Sequence, residues 1–209
     1  MSAQVELLAM TPDPERVIEL AARTSYKSFD KMGEGSASAL IRKLIRSGHE
    51  SVLEHAYATF RIRGGSRAFT HQLVRHRLAS YTQESQRYVD EVGFEYVTPP
   101  SIREGQEALR VFREAVEVAR EAYGRLRELG VPKQDARFVL PNATTSEIVV
   151  SANFREWRHI FELRCHPSAQ WEIREICLQI LKLLKEKAPS AFEDFRIDEE
   201  GNAAWREET

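Results

Sequence analysis

Two stretches of the 209-residue chain repeat apolar residues at alternating intervals of three and four, and this helical periodicity limits the fold more than any other feature. From about Ile102 to Leu129, one stripe comprises Ala108, Phe112, Ala115, Ala119, Ala122, Leu126 and Leu129. A Ser101/Glu104 capping box opens it, and Gly130 and Pro132 stop it. From about Pro167 to Lys187, Ala169, Ile173, Ile176, Cys177, Ile180, Leu181 and Leu184 form a second stripe that ends before Pro189. Asp13 before Pro14 predicts the start of a helix through Val17, Ile18, Leu20 and Ala21. Ala37, Leu40, Ile41, Leu44 and Ile45 predict another, closed by Gly48, and Asn153 with Glu156 predicts a shorter one. Strand signals are few: Val5 to Met10, and Tyr57 to Arg63, where Ala58, Phe60 and Ile62 oppose Tyr57, Thr59, Arg61 and Arg63. Long helices with scattered strands exclude a regular βαβ repeat. They predict an α+β fold, with one domain of long helices packed around a small mixed or antiparallel sheet.

Composition narrows the function classes. At 42% hydrophobic and 30% charged, with 30 basic and 32 acidic side chains, the chain has the material for a core and is not disordered. Its net charge of −2 excludes a generic coat for nucleic acid. No basic segment followed by an apolar one marks a secretory leader, and no apolar run approaches the roughly 18–20 residues that span a bilayer. Cys165 and Cys177 are too few and too far apart for a disulfide framework or a zinc knuckle, so the expected compartment is the reducing cytoplasm, away from membranes. Glu193 to Glu208 holds seven acids and two arginines, and a loosely held acidic tail is expected over about 193–209.

The charge is unevenly spread. Between Arg61 and Arg87 stand six arginines (Arg61, Arg63, Arg67, Arg75, Arg77 and Arg87) and one acid, Glu84, giving +5 over 27 residues. All six cations are arginine, whose planar fork suits phosphate and carboxylate, although a solvated basic face would show the same charge. The interleaved Ser80, Tyr81, Thr82, Gln83, Ser85 and Gln86 add neutral donors and acceptors that can read the polar edge of a base.

Arg75-His76-Arg77-Leu78-Ala79-Ser80-Tyr81-Thr82-Gln83-Glu84-Ser85-Gln86-Arg87 has the pattern RHRxxSxxxxSxR, and in this the chain resembles the flavin-dependent thymidylate synthases. The resemblance extends to Ser47-Gly48-His49-Glu50-Ser51-Val52-Leu53-Glu54-His55. It continues through Val131-Pro132 with Ala136-Arg137-Phe138-Val139-Leu140-Pro141, and through Leu163-Arg164 with Ala169-Gln170-Trp171-Glu172-Ile173. It implies synthesis of dTMP from dUMP, with methylenetetrahydrofolate as carbon donor and NADPH as reductant acting through bound FAD. It also implies a homotetramer with the FAD sites at subunit interfaces.

The same resemblance implies dUMP contacts from Gln72, Arg75, Gln83, Ser85, Gln86, Arg87 and Arg137. It implies FAD contacts from Ser51, Arg75, His76, Arg77, Gln83, Asn153, Arg155 and His159, with His49 and Glu54 in the same segment. Arg164 matches the catalytic arginine that faces the pyrimidine and favours loss of its N3 proton. Read without the resemblance, Arg164 is equally an arginine at a helix C-terminus, although it shares a face with Trp157 and Phe161. The chain departs from the family pattern at Gln83, where many members have Glu, at His159, where others have Asn, and at Cys165-His166-Pro167.

Three other chemistries are compatible with parts of the sequence. His49, His55, His71 and His76 with Glu50 and Glu54 supply enough donors for a metal hydrolase, but the six-residue interval between His49 and His55 is not that of HExxH. Cys165, beside Arg164, has the setting of an activated thiol, and Ser85 near His76 that of a nucleophile and base without an orienting third group. The arginine segment with Tyr57, Tyr81 and Tyr88 is also the composition of a nucleic-acid-binding module without metal or cofactor.

Overall fold

The computed structural model describes residues 3–207. In chain order its elements are β1 (Gln4–Met10), α1 (Pro14–Thr24), α2 (Ser36–Arg46), β2 (Tyr57–Ser66), α3 (Arg67–Leu73), β3 (Ser80–Gln83), α4 (Pro100–Arg103) and α5 (Gln106–Glu128). There follow α6 (Lys133–Ala136), β4 (Thr145–Asn153), α7 (Phe154–Arg164), α8 (Trp171–Lys187), α9 (Pro189–Phe192), β5 (Phe195–Ile197) and β6 (Ala204–Arg206). The four-stranded sheet runs β1-β2-β4-β3, and β5 pairs with β6 in a separate antiparallel hairpin. The Phe154 amide donates to the Ala56 carbonyl at 2.8 Å and the Arg67 amide to that of Thr144 at 2.9 Å, so β2 and β4 run antiparallel. This is the α+β class that the periodicity predicts. Within the described residues the chain divides into two compact units, one of residues 3–4, 62–72 and 82–148, the other of 5–61, 73–81 and 149–207.

The second unit is organised around α7 and α8. Asn153, the last residue of β4, accepts the Glu156 amide at 2.8 Å and starts α7 as its cap. Trp157 meets Phe60 edge-on at 5.3 Å and donates its indole N–H to the Ala58 carbonyl at 3.2 Å. Phe161 continues that aromatic column to Phe192 and Phe195, each 5.9 Å away. Ile173, Ile176, Cys177, Ile180, Leu181 and Leu184 of α8 are all buried, as the stripe predicts. The helix starts at Trp171 and not at Pro167, because the Gln170 side chain accepts the amides of Glu172 and Ile173 at 3.0 and 3.1 Å and serves as the cap. Asp13 sits at the N-cap of α1 as expected, but in the left-handed region (φ 45°) and without a capping side-chain bond.

In the first unit the long helix is interrupted. Gly105 is extended, so Pro100–Arg103 forms a separate turn and α5 begins at Gln106 with no side-chain cap; the Ser101/Glu104 box does not form. Val116 and Tyr123 are the buried residues of α5, while Ala108, Ala115 and Leu129 are exposed. Phe112, Ala119, Ala122 and Leu126 of the expected stripe are half-buried, with the two buried side chains beside them. Larger side chains cover more apolar area per contact and take the inward positions. Tyr123 accepts the Glu91 amide at 3.1 Å, and Arg120 donates to the Phe94 carbonyl at 2.6 Å, which ties the 90–96 segment to the helix.

Residues 193–207 of the expected tail are not loosely held, and 208–209 lie outside the described residues. Residues 193–207 form the β5–β6 hairpin, with Phe195 and Ala204 fully buried and the Ala204 amide donating to the Cys165 carbonyl at 2.8 Å. Acidic composition suggested a solvated end, but the acids have partners. Asp194 grips the fully buried Arg158 with both oxygens, at 2.7 and 2.6 Å, and accepts from Arg206 at 3.1 Å.

Candidate active site

The second unit contains a cleft of about 850 Å³ lined by Gly48, Glu50, Glu54, Leu78, Asn153, Arg155, Glu156, His159, Glu162 and Arg206. Its floor is α7. Residues 155 and 159 are one turn apart, so the capped register that begins at Asn153 places the amide, guanidinium and imidazole of Asn153, Arg155 and His159 along one wall. Three of the residues expected for a cofactor therefore come together here. Ser51 lies on the exposed surface of the 3₁₀ segment Glu50–His55, between the lining residues Glu50 and Glu54.

The Arg75-His76-Arg77 triplet divides. Arg75 and Arg77 are exposed and have no hydrogen bond or ion pair among the described residues, whereas His76 is buried. Arg164, the last residue of α7, donates from Nε to His76 Nε2 at 2.9 Å. Since Arg Nε is only a donor, His76 Nε2 is an acceptor and its proton is on Nδ1. The His76 ring also meets that of His159 edge-on, with centroids 5.9 Å apart. Burial first, then the charges of Arg164 and His159, push the His76 pKa down to about 4. Tyr81 donates its hydroxyl to the carbonyls of Leu73 and His76, at 2.8 and 2.9 Å, and its own pKa is raised by burial.

A pH dependence follows from His76. Its pKa is about 4 when folded and 6.5 ordinarily, so as pH falls the unfolded chain takes up the proton first. Its contribution to stability is complete above pH ~6.5 and declines by about 1.4 kcal/mol per pH unit until the folded-state pKa is reached. Unfolding free energies of wild type and His76→Gln at pH 7, 6 and 5 should therefore diverge in slope, with wild type losing more. Equal slopes would refute this assignment.

The first unit holds the other expected residues. Gln83 donates from Nε2 to the hydroxyls of Thr70 and Ser146, both at 3.1 Å, and Gln72 donates to the Ala68 carbonyl at 3.2 Å. The Arg137 Nε donates to the Gln134 carbonyl at 3.1 Å, and its charge, after burial, holds the half-buried Arg67 below the usual arginine range. Ser85 is half-buried, and Arg87 is exposed with its guanidinium 5.6 Å from the Tyr88 ring. Gln86 turns inward: its Nε2 is buried without a hydrogen-bond partner among the described residues.

Some lining residues, unlike Glu54 of the family segment, carry no sequence signal of a site. Glu156 is visible only as a capping-box residue, yet its buried carboxyl lines the cleft; burial raises its pKa, against a lowering by His159. Glu54 pairs with Arg155 at 2.5 Å. Arg206 reaches the cleft from the hairpin and spreads its three nitrogens over Glu50, Glu162 and Asp194, at 2.5, 3.0 and 3.1 Å.

The other chemistries find less support. Among the described residues no three His, Cys, Asp or Glu side chains are grouped to hold a metal ion, so His49, His55, His71 and His76 do not assemble. Cys165 is fully buried and its thiol pKa is pushed up by burial, while Cys177 is pushed up to about 12 for the same reason. Neither is an activated thiolate. Tyr81 spends its hydroxyl inside the 73–81 turn and offers no open face for stacking like those of exposed Tyr57 and Tyr88.

Comparison with known proteins adds an independent line. Residues 6–190 match the family described as thymidylate synthase complementing protein. A flavin-dependent thymidylate synthase of Geobacter sulfurreducens is 47% identical over 199 residues, covering 91% of this chain and 86% of the relative. One from Pyrococcus abyssi is 42% identical over 189 residues, covering 86% and 78%. Among solved structures, the UMP/dUMP methylase PolB of Streptomyces cacaoi, bound with 5-Br dUMP, is similar with a TM-score of 0.78 at 30% identity. The match covers 92% of this chain and 94% of that one.

Proposed function

The chain belongs to the flavin-dependent thymidylate synthases, and from that membership we propose that it makes dTMP from dUMP with FAD seated on the α7 cleft. The observation that carries the reading is the register of α7: Asn153, Arg155 and His159 open on one cleft, and Arg164 ends the same helix beside His76 of the RHR triplet. The cleft's volume of about 850 Å³ lies in the range of cofactor sites, roughly 300–1,000 Å³. Its donors Asn153, Arg155 and His159 suit the oxygens of a dinucleotide, while Arg155 and Arg206 neutralise Glu54, Glu50 and Glu162 of the same lining. FAD, when bound, supplies the redox chemistry that side chains lack, with NADPH as its reductant and methylenetetrahydrofolate as the one-carbon donor.

The chain's own residues bind, orient and polarise. Arg155 and His159 offer donors along the cleft, while exposed Arg75 and Arg77 have no side-chain partner among the described residues to displace before meeting a ligand. Arg75 and Arg87 suit the phosphate of dUMP, each able to donate two parallel charge-assisted bonds, and Arg137 is a further nucleotide contact. Gln72, Gln83 and Ser85 complete the nucleotide contacts, and Gln86, whose side chain is turned inward, contributes through its backbone. C5 of uracil is a weak nucleophile. A fixed guanidinium at Arg164, beside N3 and O2, stabilises the negative charge that loss of the N3 proton develops. Leu78 and Phe138, 81% and 84% exposed within the family segments, support burial against other subunits in a homotetramer. No helix among the described residues is long and apolar enough to cross a membrane, and we place the enzyme in the cytoplasm.

The test is direct. Purified protein should show a flavin spectrum, lose it on reduction by NADPH faster when dUMP is present, and form dTMP when methylenetetrahydrofolate is added. Protein that binds no flavin, or that binds it and yields no dTMP under these conditions, sinks the proposal.

A further inference from the structure

We propose that His76 is the positioning residue for Arg164: a buried, neutral imidazole that sets the plane of the guanidinium and adds no negative charge beside it. The inference rests on the reading of Arg164 as the pyrimidine-activating group. The resemblance assigns His76 to the cofactor along with its two neighbours, yet the structure separates it from them. Arg75 and Arg77 face solvent, while His76 is 5% exposed and its Nε2 is taken by Arg164.

The ring's seat is over-determined. The His76 amide donates to the Leu73 carbonyl at 3.2 Å and the Ala79 amide to the His76 carbonyl at 3.1 Å, which folds the triplet into consecutive turns. Tyr81 fastens the carbonyls of Leu73 and His76 with one hydroxyl, and His159 closes against the ring edge. With the backbone and ring so held, the lone pair on Nε2 has one direction, and it is aimed at Arg164 Nε.

A guanidinium is planar, so fixing the direction of its Nε–H fixes the plane in which both terminal nitrogens lie. A carboxylate would orient Arg164 equally well, but its charge would oppose the field that the arginine presents to a developing anion. Imidazole orients through a dipole instead. It stays unprotonated at neutral pH because it is buried beside a fixed cation, so the acceptor does not turn into a competing donor.

His76→Leu removes the acceptor and keeps apolar bulk; His76→Gln returns an acceptor near the position of Nε2. For His76→Leu, kcat for dTMP formation should fall by about 10- to 100-fold. The KM for dUMP and the flavin bound per subunit should change by less than about threefold, since the loss is one of orientation. His76→Gln should recover most of kcat, and adding His76→Leu to Arg164→Ala should cost nothing more. Undiminished kcat in His76→Leu overturns the proposal. So does a loss that tracks flavin content, which would make His76 a cofactor contact, and so does a folded His76→Gln that fails to rescue. The wild-type protein gives a check that needs no variant to fold. Nitrogen NMR of labelled histidine should report His76 protonated on Nδ1 at neutral pH, and a proton on Nε2 refutes the bond. Arg164→Ala with full activity would instead refute the parent reading, whatever the His76 variants do.

Discussion

Arg164→Ala is expected to lower kcat for dTMP formation by about 10²- to 10³-fold while flavin content and overall fold persist, the loss found when one preorganised donor to a developing oxyanion is removed. The expectation follows from where Arg164 stands. It is the last residue of α7, after Arg155 and His159 have lined the cleft, and its Nε is held by His76. The KM for dUMP should rise less than kcat falls, since an interaction that strengthens with developing charge acts more on the transition state than on the bound substrate. Arg164→Lys keeps the charge but not the planar fork, and it should fall between wild type and Ala. Steady-state kinetics with flavin quantified per subunit decide the matter. A variant that forms dTMP at the wild-type rate removes Arg164 from the catalytic machinery. One that loses flavin in proportion to activity makes it a cofactor-binding residue.

Much of this arrangement is written locally in the chain, and the remainder is not for identifiable reasons. The start of α7 is legible because Asn153 and Glu156 obey a capping rule that needs no tertiary information, and that start sets where Arg155, His159 and Arg164 point. The buried stripe of α8 is legible for the same reason. β3 is not: Ser80–Gln83 has no apolar alternation, and it becomes a strand because it adds to the edge of β4. The turn that buries His76 between two exposed arginines is likewise invisible. It depends on the Tyr81 hydroxyl reaching back five and eight residues to two carbonyls. The acidic wall of the cleft is hidden most deeply. Glu50, Glu162 and Arg206 are brought together from the 3₁₀ segment Glu50–His55, from α7 and from the C-terminal hairpin, and a count of charges along the C-terminal segment points the wrong way. Composition reports how many acids there are, not whether arginines elsewhere need them.

That need gives the second large effect. Asp194→Ala should destabilise the protein by about 3–5 kcal/mol, the usual cost of removing one partner from a buried ion pair. The Arg158 guanidinium is fully buried, and Asp194 meets it with both oxygens; its remaining contacts are the Ala191 carbonyl at 2.6 Å, Glu50 at 3.5 Å and the Phe195 ring, whose centroid is 5.1 Å away. Without the carboxylate a fully buried cation keeps Glu50, at 3.5 Å, in place of a two-oxygen grip. The loss is a large share of the roughly 5–15 kcal/mol that holds a protein of this kind together. Arg206 loses one of its three carboxylates at the same stroke, so its grip on Glu50 and Glu162 loosens and the cleft wall shifts with it. Flavin affinity should therefore drop in parallel. The charge-free double variant Arg158→Met/Asp194→Leu separates the causes: burying two apolar groups should recover most of the stability, because no orphaned charge remains. Denaturant unfolding of the two variants and wild type, with flavin titrations on each, measures both effects. If Asp194→Ala costs less than about 1 kcal/mol, the range of an exposed pair, the hairpin is not anchored through Arg158 and its hold on the cleft has another source.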